Sequence, residues 1–346
     1  MFEGLTPEQI ALIAASLGMP KLLIKLLDVI QQGTGTISEP YFIRKKAEAL
    51  ADGKTYEIEK LTEKFVESQK LLPSIEYKDG QLSIPNKSEN DLTLQQRYKK
   101  RFEYQQARKQ INVENVTANA VEELLSDPEI ENLSNDEPID PDWTARFFET
   151  VENVSEEQMQ QLWGKVLAGE VKRPKSFSLR TLETLKNISS AEAEIFVKFC
   201  NVSVKTISAC FVPNFDNFKS LQSNYSISYS DCLLMEEIGL LQIKQNSLII
   251  FGSLNKDKKV YLFYAKNLFV ITAKEEIPNA DIKAIHFTKV GEELLGLVNI
   301  NFDKEVANWI LTPFLDGKFH VEKTSNFMKK VDASTTLTIS NLEVFS

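Results

Sequence analysis

Apolar residues recur at helical spacing through roughly the first 200 positions and in short β-branched and aromatic runs after Val204. The clearest helical stripe is Met159, Leu162, Trp163, Val166 and Leu167, placed at i, i+3, i+4, i+7 and i+8. That spacing keeps one face of a 3.6-residue repeat apolar. Ser155 followed three residues later by Gln158 reads as a capping box at its start. Gly169, with Pro174 beyond it, reads as its stop. Asp140-Pro141 opens an earlier helix carrying Trp143, Phe147 and Phe148, because proline lacks the N–H that a first helical turn leaves unpaired. Leu179, Leu182 and Leu185 mark a third helix over 178–188. Ser189 with Glu192 is a capping box for a fourth, which puts Ala193, Phe196, Val197 and Cys200 on one face. Four short helices with two tryptophans predict a helical core bundle over 140–202, with Trp143, Phe147, Leu162, Trp163 and Leu167 inside it.

Upstream, Thr6-Pro7 starts a pattern in which Leu12, Ile13, Leu17, Leu22, Leu23, Leu26, Leu27 and Ile30 form an apolar helical hairpin, interrupted around Gly18-Met19-Pro20. With the helical pattern from Tyr41 to Leu72, this predicts an N-terminal helical region over 1–72. Residues 73–139 read as a linker with a short hairpin near Asp79-Gly80, a long helix over 93–125, and an acidic strip. Beyond Val204, the runs 204–212, 240–243, 247–251, 260–264 and 268–272 predict strands. A short helix ended by Gly239 lies among them. The order of that helix, Ile238-Gly239-Leu240-Leu241, strands, and Thr288-x-x-Gly291-x-Glu293-Leu294 is winged-helix-like over 203–298. Residues 299–346 read as a mixed extension. The expected class is α+β: long N-terminal helices, a helical core bundle, and a winged-helix-like region with short antiparallel strands.

Charge narrows the function. A formal net charge of −9 argues against a general nucleic-acid binder but leaves room for a local basic patch. One such patch is Arg97, Lys99, Lys100, Arg101, Arg108 and Lys109, interleaved with Tyr98, Phe102 and Tyr104. A second is the turn Lys172-Arg173-Pro174-Lys175. Basic residues alternating with aromatics grip nucleic acid through phosphates and stacking. The competing reading is a solvated helix whose positive face pairs with a protein partner or with the acidic strip Asp127, Glu129, Glu131, Asp136, Glu137 and Asp140. The winged-helix-like helix presents Asp231, Glu236 and Glu237 and no basic residue, so phosphates would repel it; protein contact suits it better.

The chemistry-bearing residues are few. The two histidines, His286 and His320, are far apart without ligand spacing, and GxSxG, HExxH and Walker patterns are absent. The turn at Gly33-Thr-Gly-Thr lacks the glycines of a phosphate loop. Paired carboxylates at Glu156/Glu157, Glu236/Glu237 and Glu292/Glu293 suit helix starts and solvated faces. The expectation is therefore no catalytic, metal-binding or cofactor-binding residue, no small-molecule ligand, and no enzyme activity. Cys200, Cys210 and Cys232 without CxxC spacing, no secretory signal and no long apolar run predict a cytoplasmic protein. Self-association through the N-terminal helices is expected. A membrane-surface role for residues 8–30 is the weaker reading, since only Lys21 and Lys25 are basic there.

Three segments carry a resemblance: Glu39-Pro40-Tyr41-x-Ile43-Arg44, Asp142-Trp143-x-x-x-Phe147-Phe148, and Met159-x-x-Leu162-Trp163-x-x-x-Leu167-Ala168-Gly169-Glu170. Together they resemble a bacterial family known as domain of unknown function 2806, over roughly residues 15–300. More distantly, the core is similar to helical abortive-infection proteins with a comparable Leu-Trp helix. Gly53 interrupts the helix that relatives extend after the Glu-Pro-Tyr turn. The resemblance implies a bacterial or prophage protein with a non-catalytic interaction or regulatory role, in phage defence or abortive infection. It transfers no catalytic residues. The alternative is a nucleic-acid-binding regulator using helix 97–109 and the winged-helix-like region.

Overall fold

The structure is a computed structural model that describes residues 20–34, 76–78, 81–83, 93–127, 130, 137–244, 247–278, 280–330 and 336–345. Among them, ten helices and a largely antiparallel set of strands make the chain α+β. It divides into two compact units, 1–182 and 183–346.

In the first unit, α1 (Lys21–Thr34) follows Pro20, whose carbonyl accepts from the Leu23 and Ile24 amides at 3.0 and 3.3 Å. Its face of Leu22, Leu23, Leu26, Leu27, Val29 and Ile30 is buried, so protein covers the described part of the apolar segment. Residues 1–19 and 35–72, the rest of the expected N-terminal helical region, lie outside the described residues. The expected hairpin forms as β1 (Glu76–Lys78) antiparallel to β2 (Gln81–Ser83).

The long helix α2 (Leu94–Leu125) begins at a capping box missed in the sequence reading: Thr93 caps the Gln96 amide, and the Gln96 side chain returns to the Thr93 amide. Its second half buries Val113, Val116, Ala120, Val121 and Leu124, largely against α4 (Glu157–Lys172). The approach is close at Gly164, where a Cβ would lie 2.5 Å from the Asn119 Cβ and 3.0 Å from the Ala120 nitrogen. Helix α3 (Pro141–Val151) is capped by Asp140 as expected, its carboxylate accepting from the Asp142 amide at 2.9 Å. Trp143 stacks on Phe147 at 5.0 Å, and Phe147 meets Trp163 edge-on at 5.6 Å. Trp143, Phe147, Trp163 and Leu167 are all buried.

Three details of α4 correct the sequence reading. Met159 and Leu162 are half-buried, and Gln160 and Gly164 take buried places on the packed face instead. Ser155 forms no capping box, since Glu156 holds the cap position without a side-chain bond. The first turn is held from inside, where the Gln160 amide donates to the Val154 carbonyl at 2.9 Å and to Asn112 Oδ1 at 3.3 Å. Gly169 does not end the helix, which runs to Lys172; a Cβ at Gly169 would instead meet the Phe177 ring at 2.8 Å. The stop is the turn at 173–177, where the buried Glu170 carboxylate accepts from the Lys175 and Phe177 amides at 2.5 and 3.0 Å.

Helix α5 (Leu179–Asn187) spans the division between the units. In the second unit, α6 (Ser190–Asn201) carries the expected Ser189–Glu192 capping box; Phe196, Phe199 and Cys200 are buried, whereas Val197 faces solvent. The run 204–212 is two strands, not one. β3 (Val204–Lys205) and β4 (Cys210–Pro213) pair across a turn in which Thr206 Oγ1 accepts from the Ala209 amide at 2.9 Å. After α7 (Lys219–Tyr225) and α8 (Tyr229–Glu237) come β5 (Leu241–Gln242), β6 (Leu248–Ile249), β7 (Lys259–Tyr264), β8 (Asn267–Ala273) and β9 (Ile282–Phe287). Then follow α9 (Lys289–Leu295), α10 (Lys304–Leu311), β10 (Phe319–Thr324), the hairpin of β11 (Phe327–Lys330) and β12 (Thr336–Ile339), and β13 (Glu343–Val344).

Nine strands form one sheet in the order β13-β10-β8-β7-β3-β4-β9-β5, with β6 also paired to β9. Ala265 and Lys266, both at positive φ, turn β7 into β8, matching the twist of paired strands. The two glycine motifs meet at the β5–β9 edge. Gly239, at φ +84, ends α8, and its carbonyl accepts from Thr288 Oγ1 at 2.6 Å. Thr288 in turn caps the Gly291 amide at 3.0 Å. Gly291 admits no side chain, because a Cβ would lie 2.1 Å from the Leu240 carbonyl oxygen.

Candidate functional site

Helix α2 changes character near residue 110. Before it, the outward side chains are both apolar and basic: Leu94 is 76% exposed, Tyr98 69% and Phe102 50%. Arg97, Arg101 and Arg108 are exposed, and Lys100 is half-buried. At 3.6 residues per turn the three arginines fall within about 40° of one line along the helix, a row about 16 Å long. Leu94, Tyr98 and Phe102 occupy the adjoining strip. The Tyr98 and Phe102 rings are stacked, with centroids 6.3 Å apart and planes 19° from parallel.

The cations of this region divide into two groups. Lys99 reaches Glu103 at 3.7 Å, and Lys109 pairs with Glu152. Arg97, Lys100, Arg101 and Arg108 make no ion pair among the described residues. Tyr104 is half-buried and lies off the exposed strip.

The basic turn after α4 is arranged differently. Lys172 pairs with Asp127 at 2.8 Å, and Lys175 with Glu137 at 2.6 Å. That hydrogen bond holds the Glu137 carboxyl below, and the Lys175 ammonium above, its ordinary range. The described acidic strip thus binds the 172–175 turn, Asp140 caps α3, and Arg173 is exposed without an ion pair among the described residues. Glu129, Glu131 and Asp136 lie outside the described residues.

Behind the exposed stretch, α2 is anchored by a polar network beside its apolar contacts. Asn112 donates to the Glu152 carbonyl at 2.9 Å, and Asn115 donates to Gln160 at 3.2 Å. Glu114, at the junction, accepts from Gln110 at 3.0 Å, while burial raises its carboxyl above the ordinary value.

Other candidate chemistry is sparse. A cavity of about 800 Å³ lies between α1 and the 137–141 segment. Its lining mixes Lys21, Lys25 and Lys175 with Asp28, Glu137 and Asp140, so it has no dominant sign with which to select an ion. Burial pushes the Cys200 thiol well up, and Cys210 and Cys232 up to about 12, which keeps all three protonated and unreactive at neutral pH. His286 and His320 sit on β9 and β10, which are not neighbours in the sheet. Among the described residues no group of three or more His, Cys, Asp or Glu is placed to hold a metal, and no helix is long and apolar enough to cross a membrane.

The family model that matches this chain, over residues 96–310, is described as protein of unknown function (DUF2806). The match covers more than half of the chain. The chain belongs to the DUF2806 family. No curated protein and no solved structure matches it. The DUF2806 region starts in the first turn of α2 and ends within α10, so it includes the basic stretch, the tryptophan helices and most of the sheet. It is narrower than the 15–300 expected, and the Glu39-Pro40-Tyr41 segment falls outside it.

Proposed function

We propose that this DUF2806 protein is a non-catalytic interaction or regulatory protein that docks its partner on the front of α2, residues 94–108. The observation carrying the proposal is the pairing, on one helix face, of large exposed apolar side chains and cations that make no ion pair among the described residues. Either feature alone is common on a surface. Together, on a helix whose other half is clamped by packing, they fit a site held ready for a partner. A bacterial or prophage origin, a cytoplasmic location and a role in phage defence belong to the same proposal, on the resemblance of the three motif segments. A protein-contact use of the winged-helix-like stretch 203–298 also belongs to it, supported by Tyr229 and Leu233 exposed beside Glu236 and Glu237 on α8.

The test is a photo-crosslinking amino acid placed at Tyr98, and at exposed Glu157 as control, in the full chain expressed in bacterial cells. A discrete adduct at position 98, absent at 157 and lost with Arg97→Ala and Arg101→Ala, is expected. Treating the adduct with protease or nuclease identifies its class. No adduct of either class at position 98 overturns the proposal.

A further inference from the structure

Resting on the reading that the front of α2 docks a partner, we infer that this partner is single-stranded nucleic acid. Between residues 97 and 109 the helix carries six basic side chains and one acidic one, Glu103. A second copy of the same helix would therefore be repelled, and the occupant must be an anion. Of the four cations in this stretch that make no ion pair among the described residues, three are arginines set in a row. A planar guanidinium fork matches phosphate oxygens better than a point-charge ammonium does.

The aromatics decide among anions. An acidic protein helix would seek a groove for its apolar anchors, but the front of α2 is a convex helix face. Tyr98 and Phe102 instead offer exposed, nearly parallel ring faces alongside the arginine row. Ring faces beside a cationic track are what unpaired bases use, stacking on the rings while their phosphates follow the arginines. A duplex keeps its bases stacked on each other and would leave both rings unused. The net charge of −9 repels a polyanion from most of the rest of the chain, which confines the strand to this short track.

The experiment is fluorescence anisotropy of the full-length protein with a short labelled oligothymidylate and an oligouridylate. Competitors are the matching duplex and polyglutamate, and salt runs from about 50 to about 200 mM. Contact with four phosphates predicts a slope of log K against log salt of about −3, at about −0.7 per phosphate. The Arg97→Ala/Arg101→Ala variant should bind at least tenfold more weakly and flatten the slope by about 1.4. Tyr98→Ala should weaken binding roughly 5- to 100-fold and leave the slope unchanged. Lys172→Ala/Lys175→Ala, whose ammonium groups are already paired, should bind as wild type does. All these side chains lie outside the buried core, and an unchanged melting curve verifies the fold of each variant.

Absence of single-strand binding at the lowest salt overturns the inference. So does competition by polyglutamate or duplex equal to that by single strands, or full affinity in Tyr98→Ala. If a protein adduct forms at position 98 while oligonucleotides fail to bind, the nucleic-acid inference falls and the docking surface stands. If neither is found, both fall.

Discussion

The two halves of α2 are one continuous helix put to opposite uses. The second half buries Val113, Val116, Ala120, Val121 and Leu124 and ties its polar residues to α4 and the end of α3. The first half leaves Leu94, Tyr98 and Phe102 in solvent beside arginines that make no ion pair among the described residues. Isolated helical turns are marginal in water, so the exposed half depends on the packed half for its order. A rigid, partly unsatisfied surface is thereby held up by a core that spends its own contacts elsewhere. The basic turn at 172–175 completes the contrast: it too is rich in cations, but Lys172 and Lys175 are paired with Asp127 and Glu137, which leaves Arg173 exposed. Composition alone would rank the two basic segments together, whereas ion pairing separates them.

The strongest way to break the contrast is to empty the core under the packed half. Trp163→Ala should destabilise the first unit by about 3–5 kcal/mol, read as a lowered urea midpoint. Trp163→Phe sharpens the point, because the buried Trp163 Nε1 has no hydrogen-bond partner among the described residues. Replacing it removes an unsatisfied donor whose burial costs about 1–3 kcal/mol, so the phenylalanine variant should lose far less than the alanine variant. Equal losses would mean that the indole N–H carries no penalty.

Next in size is the helix contact itself. A Cβ at Gly164 would meet both the Asn119 side chain and the Ala120 backbone, and the backbone nitrogen cannot swing aside. Gly164→Ala should cost about 1–3 kcal/mol by overpacking, partly offset by about 1 kcal/mol of gained helix propensity. A stabilised Gly164→Ala would show that α2 and α4 separate readily.

Much of this arrangement is legible in the residues, within limits set by distance along the chain. Local signals carry through: Asp140-Pro141 starts α3, Ser189 with Glu192 caps α6, and the β-branched and aromatic runs mark β3 to β8. Thr93-x-x-Gln96 was equally readable and marks the start of the candidate surface. What local pattern cannot supply is the partner of a polar group. Gln160 and Glu170 are buried because Asn112 and the 175–177 amides satisfy them, which no periodicity encodes. The acidic strip could have faced either basic segment, and only the tertiary fold pairs Asp127 with Lys172 across 45 positions. Likewise β8 pairs with β10, some fifty positions away, so the run at 268–272 is visible while its partner and the sheet order are not.

A smaller perturbation acts on the exposed half alone. Thr93→Ala removes the capping box, a loss of about 1 kcal/mol confined to the first turn. Because that turn has little packing to transmit the loss, amide exchange over 94–97 should quicken while the global melting temperature barely moves. A large fall in melting temperature would show that the front of α2 is coupled to the core, and the contrast between the halves would fail.

The smallest expected effect lies at the junction. Burial raises the Glu114 carboxyl above its ordinary value of 4.5, and the Gln110 hydrogen bond only partly counters it. A carboxyl raised in the folded state binds its proton more tightly there than in the unfolded chain. Folding is therefore favoured by this group at low pH, and that contribution fades as pH rises through the folded value. At neutral pH the ionised carboxylate is a burden that glutamine would lift. Glu114→Gln should raise stability by less than about 1 kcal/mol near pH 7, since the side chain is only half-buried and water still reaches it. Below the ordinary value of 4.5, where wild type is protonated in both states, the gain should vanish. A gain that persists unchanged to low pH would assign the effect to helix propensity, and a loss at neutral pH would mean that the carboxylate is held by its charge.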